Sequence, residues 1–264
     1  MEKTSNFSEG VPSYKPQTSN GLANPYFQFK QFTIHQDKCA MKVTTDACLF
    51  GAWVAQEVQL KKLKVESSLD IGTGTGLLSL MLIQKNPGNN ILAIEIDKDS
   101  GLQAKENAHA SPWKDRITIL EGDVKDHSFP EKFDLIISNP PFYERELRSG
   151  TERKNIAYHS DNLTLQELLY VIKTNLSADG NFFLLLPYKR NDEIKRLFKD
   201  HQLHISKLLL VRQSVKHDYF RIFLKGNLNP AQKETEFDEM SIWDEKQQYT
   251  KEFVCLLKEY YLHL

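Results

Sequence analysis

The rhythm of apolar and polar positions changes at Tyr26. Before it, residues 1–25 are rich in Ser, Asn, Pro and Gly, which offers too little apolar surface to offset the entropy of ordering, so a disordered tail is predicted. From Phe27 the pattern alternates, Phe27-Gln-Phe29-Lys-Gln-Phe32-Thr-Ile34, and a second stretch, Cys39-Ala-Met-Lys-Val43, completes a predicted β-hairpin. Thr44-Thr-Asp46 supplies cap residues for a helix over 47–58, with Leu49, Phe50, Trp53 and Val54 on one face.

Strands and helices then alternate. A short apolar strand at 67–71 runs into Gly72-Thr-Gly74-Thr-Gly76 and an apolar helix from Leu77. Ile91-Leu-Ala-Ile-Glu-Ile96 is a buried type of strand, 100–109 a helix, 117–120 a strand ending in Glu121-Gly122-Asp123, and 133–137 a strand entering Ser138-Asn-Pro-Pro-Phe-Tyr143. An irregular stretch over 144–162 has the length of a functional loop. It is followed by an amphipathic helix over 163–176, a strand over 181–187 and a helix over 192–201. A closing hairpin joins 207–211 to 219–224, and a C-terminal helix over 246–264 spaces Tyr249, Phe253, Leu256, Leu257 and Tyr260 at helical intervals. This order predicts an α/β fold with a doubly wound, mostly parallel sheet and an N-terminal extension over 26–60.

Composition narrows the setting. The 264 residues suffice for one α/β domain with decorations and fall short of two full domains. No apolar run approaches the roughly 20 residues of a membrane span, and the N-terminus lacks a signal-peptide plan, so a cytoplasmic protein without membrane association is expected. Cys39, Cys48 and Cys255 lack C-x-x-C spacing and the eight histidines lack ligand spacing, so no disulfide framework and no metal site are expected. The net charge of −1 hides a segregation: residues 188–225 hold ten Lys/Arg against four Asp/Glu, and 226–264 hold four against eight.

The glycine turn is the first candidate site. Its third glycine arrives one residue earlier than in the G-x-G-x-x-G dinucleotide fingerprint. Asp70, at the strand end, repels a pyrophosphate but suits a ligand with an ammonium, a sulfonium and no phosphate, such as S-adenosylmethionine (AdoMet). A glycine-rich turn alone is equally compatible with a tight left-handed turn that holds no ligand. Glu95, 19 residues past Gly76, is spaced like a ribose-binding carboxylate. Asp123, after the next strand, is placed to accept a hydrogen bond from an adenine amino group, although Gly-Asp is also common in plain turns.

Asn139-Pro-Pro-Phe142 is the most specific signal in the chain. An exocyclic amine conjugated to a ring is a poor nucleophile, so an enzyme must orient its lone pair. The Asn139 side-chain oxygen and the Pro140 carbonyl can each take one amino proton, and Phe142 can stack on the ring. Asn139 also borders the predicted cofactor site. Pro141 and Tyr143 are assigned to the substrate, together with Arg148, Arg153, Lys154 and His159 of the following stretch.

The order Asp70-x-Gly-x-Gly-x-Gly76, Glu95, Gly-Asp123 and Asn-Pro-Pro-Phe142 resembles the class I, AdoMet-dependent amino methyltransferases. The resemblance implies a seven-stranded sheet whose last strand is antiparallel. Within that class, the 27–46 segment with Met41-Lys-Val-Thr-Thr-Asp46, and Ile156-Ala-Tyr-His159 leading into Leu163-Thr-Leu-Gln-Glu-Leu168, resemble the bacterial tRNA1(Val) adenine-N6 methyltransferases. That implies methyl transfer to N6 of the adenosine 3′-adjacent to the anticodon, with tRNA as partner and the chain acting as a monomer. Competing readings are methylation of ribosomal RNA, DNA adenine or protein glutamine, a non-catalytic RNA-binding protein on the same scaffold, and an NAD-type oxidoreductase, which the early third glycine disfavours.

Overall fold

The computed structural model describes residues 24–39, 41–141, 163–229 and 234–264. Two short strands, β1 (Tyr26–Gln28) and β2 (Thr33–His35), form an antiparallel hairpin of their own. The hairpin turns within the alternating segment, where Phe29 N–H donates to the Phe32 carbonyl at 2.8 Å. The predicted partner, 39–43, contributes no strand among its described residues. The alternation of Phe27, Phe29, Phe32 and Ile34 reflects a folded-back aromatic cluster, with Phe29 and Phe32 stacked at 4.5 Å.

The other strands are β3 (Ser67–Ile71), β4 (Asn90–Glu95), β5 (Ile117–Glu121), β6 (Phe133–Ser138), β7 (Leu176–Pro187), β8 (His204–Ser214), β9 (Tyr219–Asn227) and β10 (Glu236–Trp243). They form one sheet in the order β10-β8-β9-β7-β6-β3-β4-β5. Only β9 runs antiparallel to its neighbours, β7 and β8. The sheet thus has eight strands where seven were expected. The added strand, β10, lies at the edge parallel to β8; four exposed residues begin it and only Met240, Ser241 and Ile242 are buried, so no apolar run betrays it.

Helices α1 (Thr45–Leu60), α2 (Leu77–Lys85), α3 (Lys98–His109), α4 (Leu165–Asn175), α5 (Asn191–Asp200) and α6 (Lys251–Leu257) divide between the two faces. One core gathers α1, α2, α3 and α6 over Phe183, Leu185 and Phe223, and the other gathers α4 and α5 over Phe182, Leu184 and Leu186. Alternate β7 residues feed opposite cores, as the period of two requires. The C-terminal helix is shorter than expected. Thr250 caps its start, and the chain leaves it to pair Tyr261 with Phe29, while Tyr260, buried, donates its hydroxyl to the Met81 carbonyl at 3.0 Å.

A buried ion cluster ties α1 to the β8–β9–β10 side. Glu57, 4% exposed, receives Lys207 at 3.0 Å and Lys225 at 3.3 Å, and Lys207 also reaches Asp238 at 2.8 Å. Burial pulls Lys225 below the usual lysine range against the attraction of Glu57.

Candidate active site

The chain fills the sheet from β3 to β5 on one side, then crosses back to lay β6 on the other. Between β3 and β6 lies the topological switch point, where open α/β sheets bind ligands. Register fixes what meets there. Ile71, the last residue of β3, pairs with Ser138, the last of β6. The buried Ser138 hydroxyl locks that pair by donating to the Ile71 carbonyl at 2.7 Å. Gly72 and Asn139 therefore leave the sheet side by side.

Gly72, Gly74 and Gly76 have φ of +70°, +56° and +82°, left-handed values that glycine adopts without strain. A methyl group added to Gly72 or Gly74 would meet no atom within 4 Å, so the turn presents bare backbone to open space. Backbone bonds from Gly72 and Thr73 to the Ile94 carbonyl, at 2.9 and 3.2 Å, anchor the turn to β4.

Asp70 lies beneath this turn, fully buried, and does not reach its open face. Its Oδ2 accepts hydrogen bonds of 2.7 Å from both the Thr73 and Ser79 hydroxyls, while Oδ1 has no partner. Burial pushes the carboxyl up to about 6, against the two hydroxyls, which pull it down. Any influence of its charge on a ligand is therefore exerted through the turn. Glu95, 9% exposed, spans the turn: Oε2 accepts from Gly74 N–H at 2.8 Å and Oε1 from Asp97 N–H at 3.0 Å. Each oxygen keeps a second lone pair.

Asp123 follows β5, whose end is drawn to β4 by a 2.8 Å bond from Gly122 N–H to the Glu95 carbonyl. Its side chain caps a short turn by accepting from Lys125 N–H at 2.9 Å, and Lys125 Nζ lies 3.4 Å from its other oxygen. Asn139 is half-buried, Pro140 buried and Pro141 exposed. The structure thus brings together Gly72, Gly74, Gly76, Glu95, Asp123 and the start of the Asn-Pro-Pro-Phe motif at one edge. Phe142, Tyr143, Arg148, Arg153, Lys154 and His159 lie outside the described residues.

One contributor escaped the sequence reading. Asn107 of α3, 1% exposed, donates at 2.9 Å to both the Thr75 and His35 carbonyls and accepts from His35 N–H at 2.9 Å. A single amide staples the N-terminal hairpin to the glycine turn. Its only sequence signal is a polar side chain three and four residues past Ala104 and Gln103, on the face that α3 buries. Among the described residues no group of three or more His, Cys, Asp or Glu side chains is placed to hold a metal ion, and no helix is long and apolar enough to cross a membrane.

This sheet order, with a glycine turn and an acid-lined edge at the switch point, defines a Rossmann-like methyltransferase, and the family model of the methyltransferase small domain matches residues 52–203. A crystal structure from Agrobacterium tumefaciens, described as a predicted O-methyltransferase, shares the fold with a TM-score of 0.60 at 14% identity, over 81% of this chain and 96% of that one. The curated relatives are narrower in kind. A Bacteroides thetaiotaomicron protein named tRNA1(Val) (adenine(37)-N6)-methyltransferase is 39% identical over 92% of this chain and 100% of its own. One of the same name from Dyadobacter fermentans is 46% identical over 62% of this chain and 66% of its own. The chain belongs to the tRNA1(Val) (adenine(37)-N6)-methyltransferase family.

Proposed function

We propose that this chain transfers the methyl group of AdoMet to the exocyclic N6 amine of the adenosine 3′-adjacent to the anticodon of tRNA1(Val), acting as a cytoplasmic monomer. The observation that carries the reading is the register-locked pairing of Ile71 with Ser138, which sets the glycine turn beside Asn139. The shared name of relatives that match the chain over nearly its whole length supports the RNA target.

The residues present fit AdoMet. Gly72 and Gly74 leave uncovered backbone with open space beside it, and Glu95 retains acceptor capacity for a ribose hydroxyl. Asp123 would meet the adenine amine once its side chain turns from Lys125, and Gly76 opens α2, whose N-terminal amides complete the cradle. Bound there, AdoMet supplies an electrophilic methyl group. The chain's own part is to prepare the acceptor: the Asn139 side-chain oxygen and the Pro140 carbonyl each accept a hydrogen bond from one N–H of the amine, which aims its lone pair out of the conjugated plane. Pro141 stiffens that backbone, and Phe142 and Tyr143 would hold the ring. Arg148, Arg153, Lys154 and His159 would contact the phosphates around it.

The test incubates the protein and labelled AdoMet with total tRNA lacking its modifications and, in parallel, with ribosomal RNA, DNA and protein, then digests each and maps the product by mass spectrometry. N6-methyladenosine beside the anticodon of one valine tRNA is the expected result. Label confined to ribosomal RNA, DNA or protein glutamine would overturn the substrate, and label in none of them would overturn the reaction.

A further inference from the structure

We propose that Tyr188, Tyr219 and Arg212 form a platform on which the unpaired nucleotides flanking the target adenosine stack. The inference rests on the RNA reading above and assigns part of the substrate-binding surface. Topology places the three residues at the reactive edge. Strands β7 and β8 run parallel to β6 and β9 runs against them, so the end of β7, the end of β8 and the start of β9 all reach the edge that carries Asn139. Ser138 pairs with Leu184, so Tyr188 stands beyond the level of Asn139, one strand across. At the usual strand spacing, β9 and β8 lie about 10 and 14 Å from β6, a span of two or three nucleotides.

The side chains suit stacked bases. The Tyr188 and Tyr219 rings sit 5.4 Å apart, and the Arg212 guanidinium lies 5.5 Å from the Tyr219 centroid. All three are half-buried, so each is held from one side and open on another. Glu239 beside the Tyr219 hydroxyl raises its pKa. Arg212 is held in turn by a 2.8 Å bond from its Nε to the Ser241 hydroxyl. Lys189 and Lys216 are exposed nearby, with Asp218 and Glu239 as exposed acids beside them. Aromatic and guanidinium faces interleaved with cations are what single-stranded nucleic acid stacks upon. Drawing an adenosine out of a loop strips its neighbours of their own stacking partner, and a platform on this edge replaces it.

The test measures binding of an anticodon stem-loop RNA to protein saturated with S-adenosylhomocysteine. Tyr188→Ala, Tyr219→Ala and Arg212→Ala should each raise Kd by about five- to tenfold while AdoMet affinity stays unchanged. Tyr219→Phe keeps the ring and loses only the hydroxyl, so it should bind within about twofold of wild type. The tyrosine variants should keep the wild-type slope of log Kd against log salt, because stacking releases no counterions. Alanine variants that bind as tightly as wild type would overturn the platform, as would a Tyr219→Phe protein as weak as Tyr219→Ala. If the wild type methylates tRNA while the alanine variants bind normally, only the platform fails. If it methylates no tRNA at all, the substrate reading fails and the platform falls with it.

Discussion

Asp70 should give this protein a pH dependence of inverted sign. Its folded-state pKa is raised from 3.8 to about 6 by burial, whereas in the unfolded chain it titrates at the ordinary value. Between about pH 4 and 6 the folded state therefore binds more protons than the unfolded state, and this group's contribution to stability is lost as pH rises through its folded pKa. A shift of about two units corresponds to about 3 kcal/mol. Asp70→Asn is nearly isosteric and keeps an oxygen for the Thr73 and Ser79 hydroxyls, but carries no charge. The quantity to measure is the unfolding free energy of wild type minus that of the variant, from urea titrations between pH 4 and 8 followed by tryptophan fluorescence. Trp53 is 3% exposed and lies in the core, so it should report unfolding. All other carboxylates cancel in the difference, which should fall by about 3 kcal/mol from pH 4 to 7.5. A difference constant within about 0.5 kcal/mol, or one that rises, would refute the buried, proton-retaining carboxyl.

Asn139→Ala should abolish methyl transfer while leaving AdoMet affinity nearly intact, because the amide acts on the acceptor amine; retention of more than about a tenth of the wild-type rate, under about 1.4 kcal/mol of lost stabilisation, would remove that role. Glu95→Ala releases both Gly74 and Asp97 N–H and should weaken AdoMet binding by about 1–3 kcal/mol in calorimetry, with unchanged affinity contradicting the cofactor site. Glu57→Ala strands Lys207 and Lys225 without their shared partner and should cost about 3–5 kcal/mol of stability by chemical denaturation; a loss below about 1 kcal/mol would show the cluster to be solvated.

Strands β4, β5 and β6 were legible because their largely apolar runs end in polar residues, and those ends are also where Glu95, Asp123 and Asn139 stand. Their convergence followed from topology alone. Depth was not legible: whether a strand-end carboxylate faces a ligand or lies under the loop depends on Thr73 and Ser79 turning their hydroxyls inward. Nor was the Asn107 staple, since its partners are 32 and 72 residues away and nothing local marks the pairing. Helical spacing misled at the C-terminus, where Tyr260 is buried by the chain's return toward Phe29 and not by a continuing helix.

Strand β10 carries a consequence for solubility. Among the described residues it is the outermost strand, bridged on its far side at Trp243 by Tyr249 and bonded at Ile242 by Thr250, and the open part of such an edge, with Phe237 67% exposed, is a template for adding a strand from another molecule. Glu236, Asp238 and Glu239 line its exposed half, the first two also held in ion pairs by Lys61 and Lys207. Two copies approaching edge to edge would bring these rows of like charge together, which opposes sheet extension.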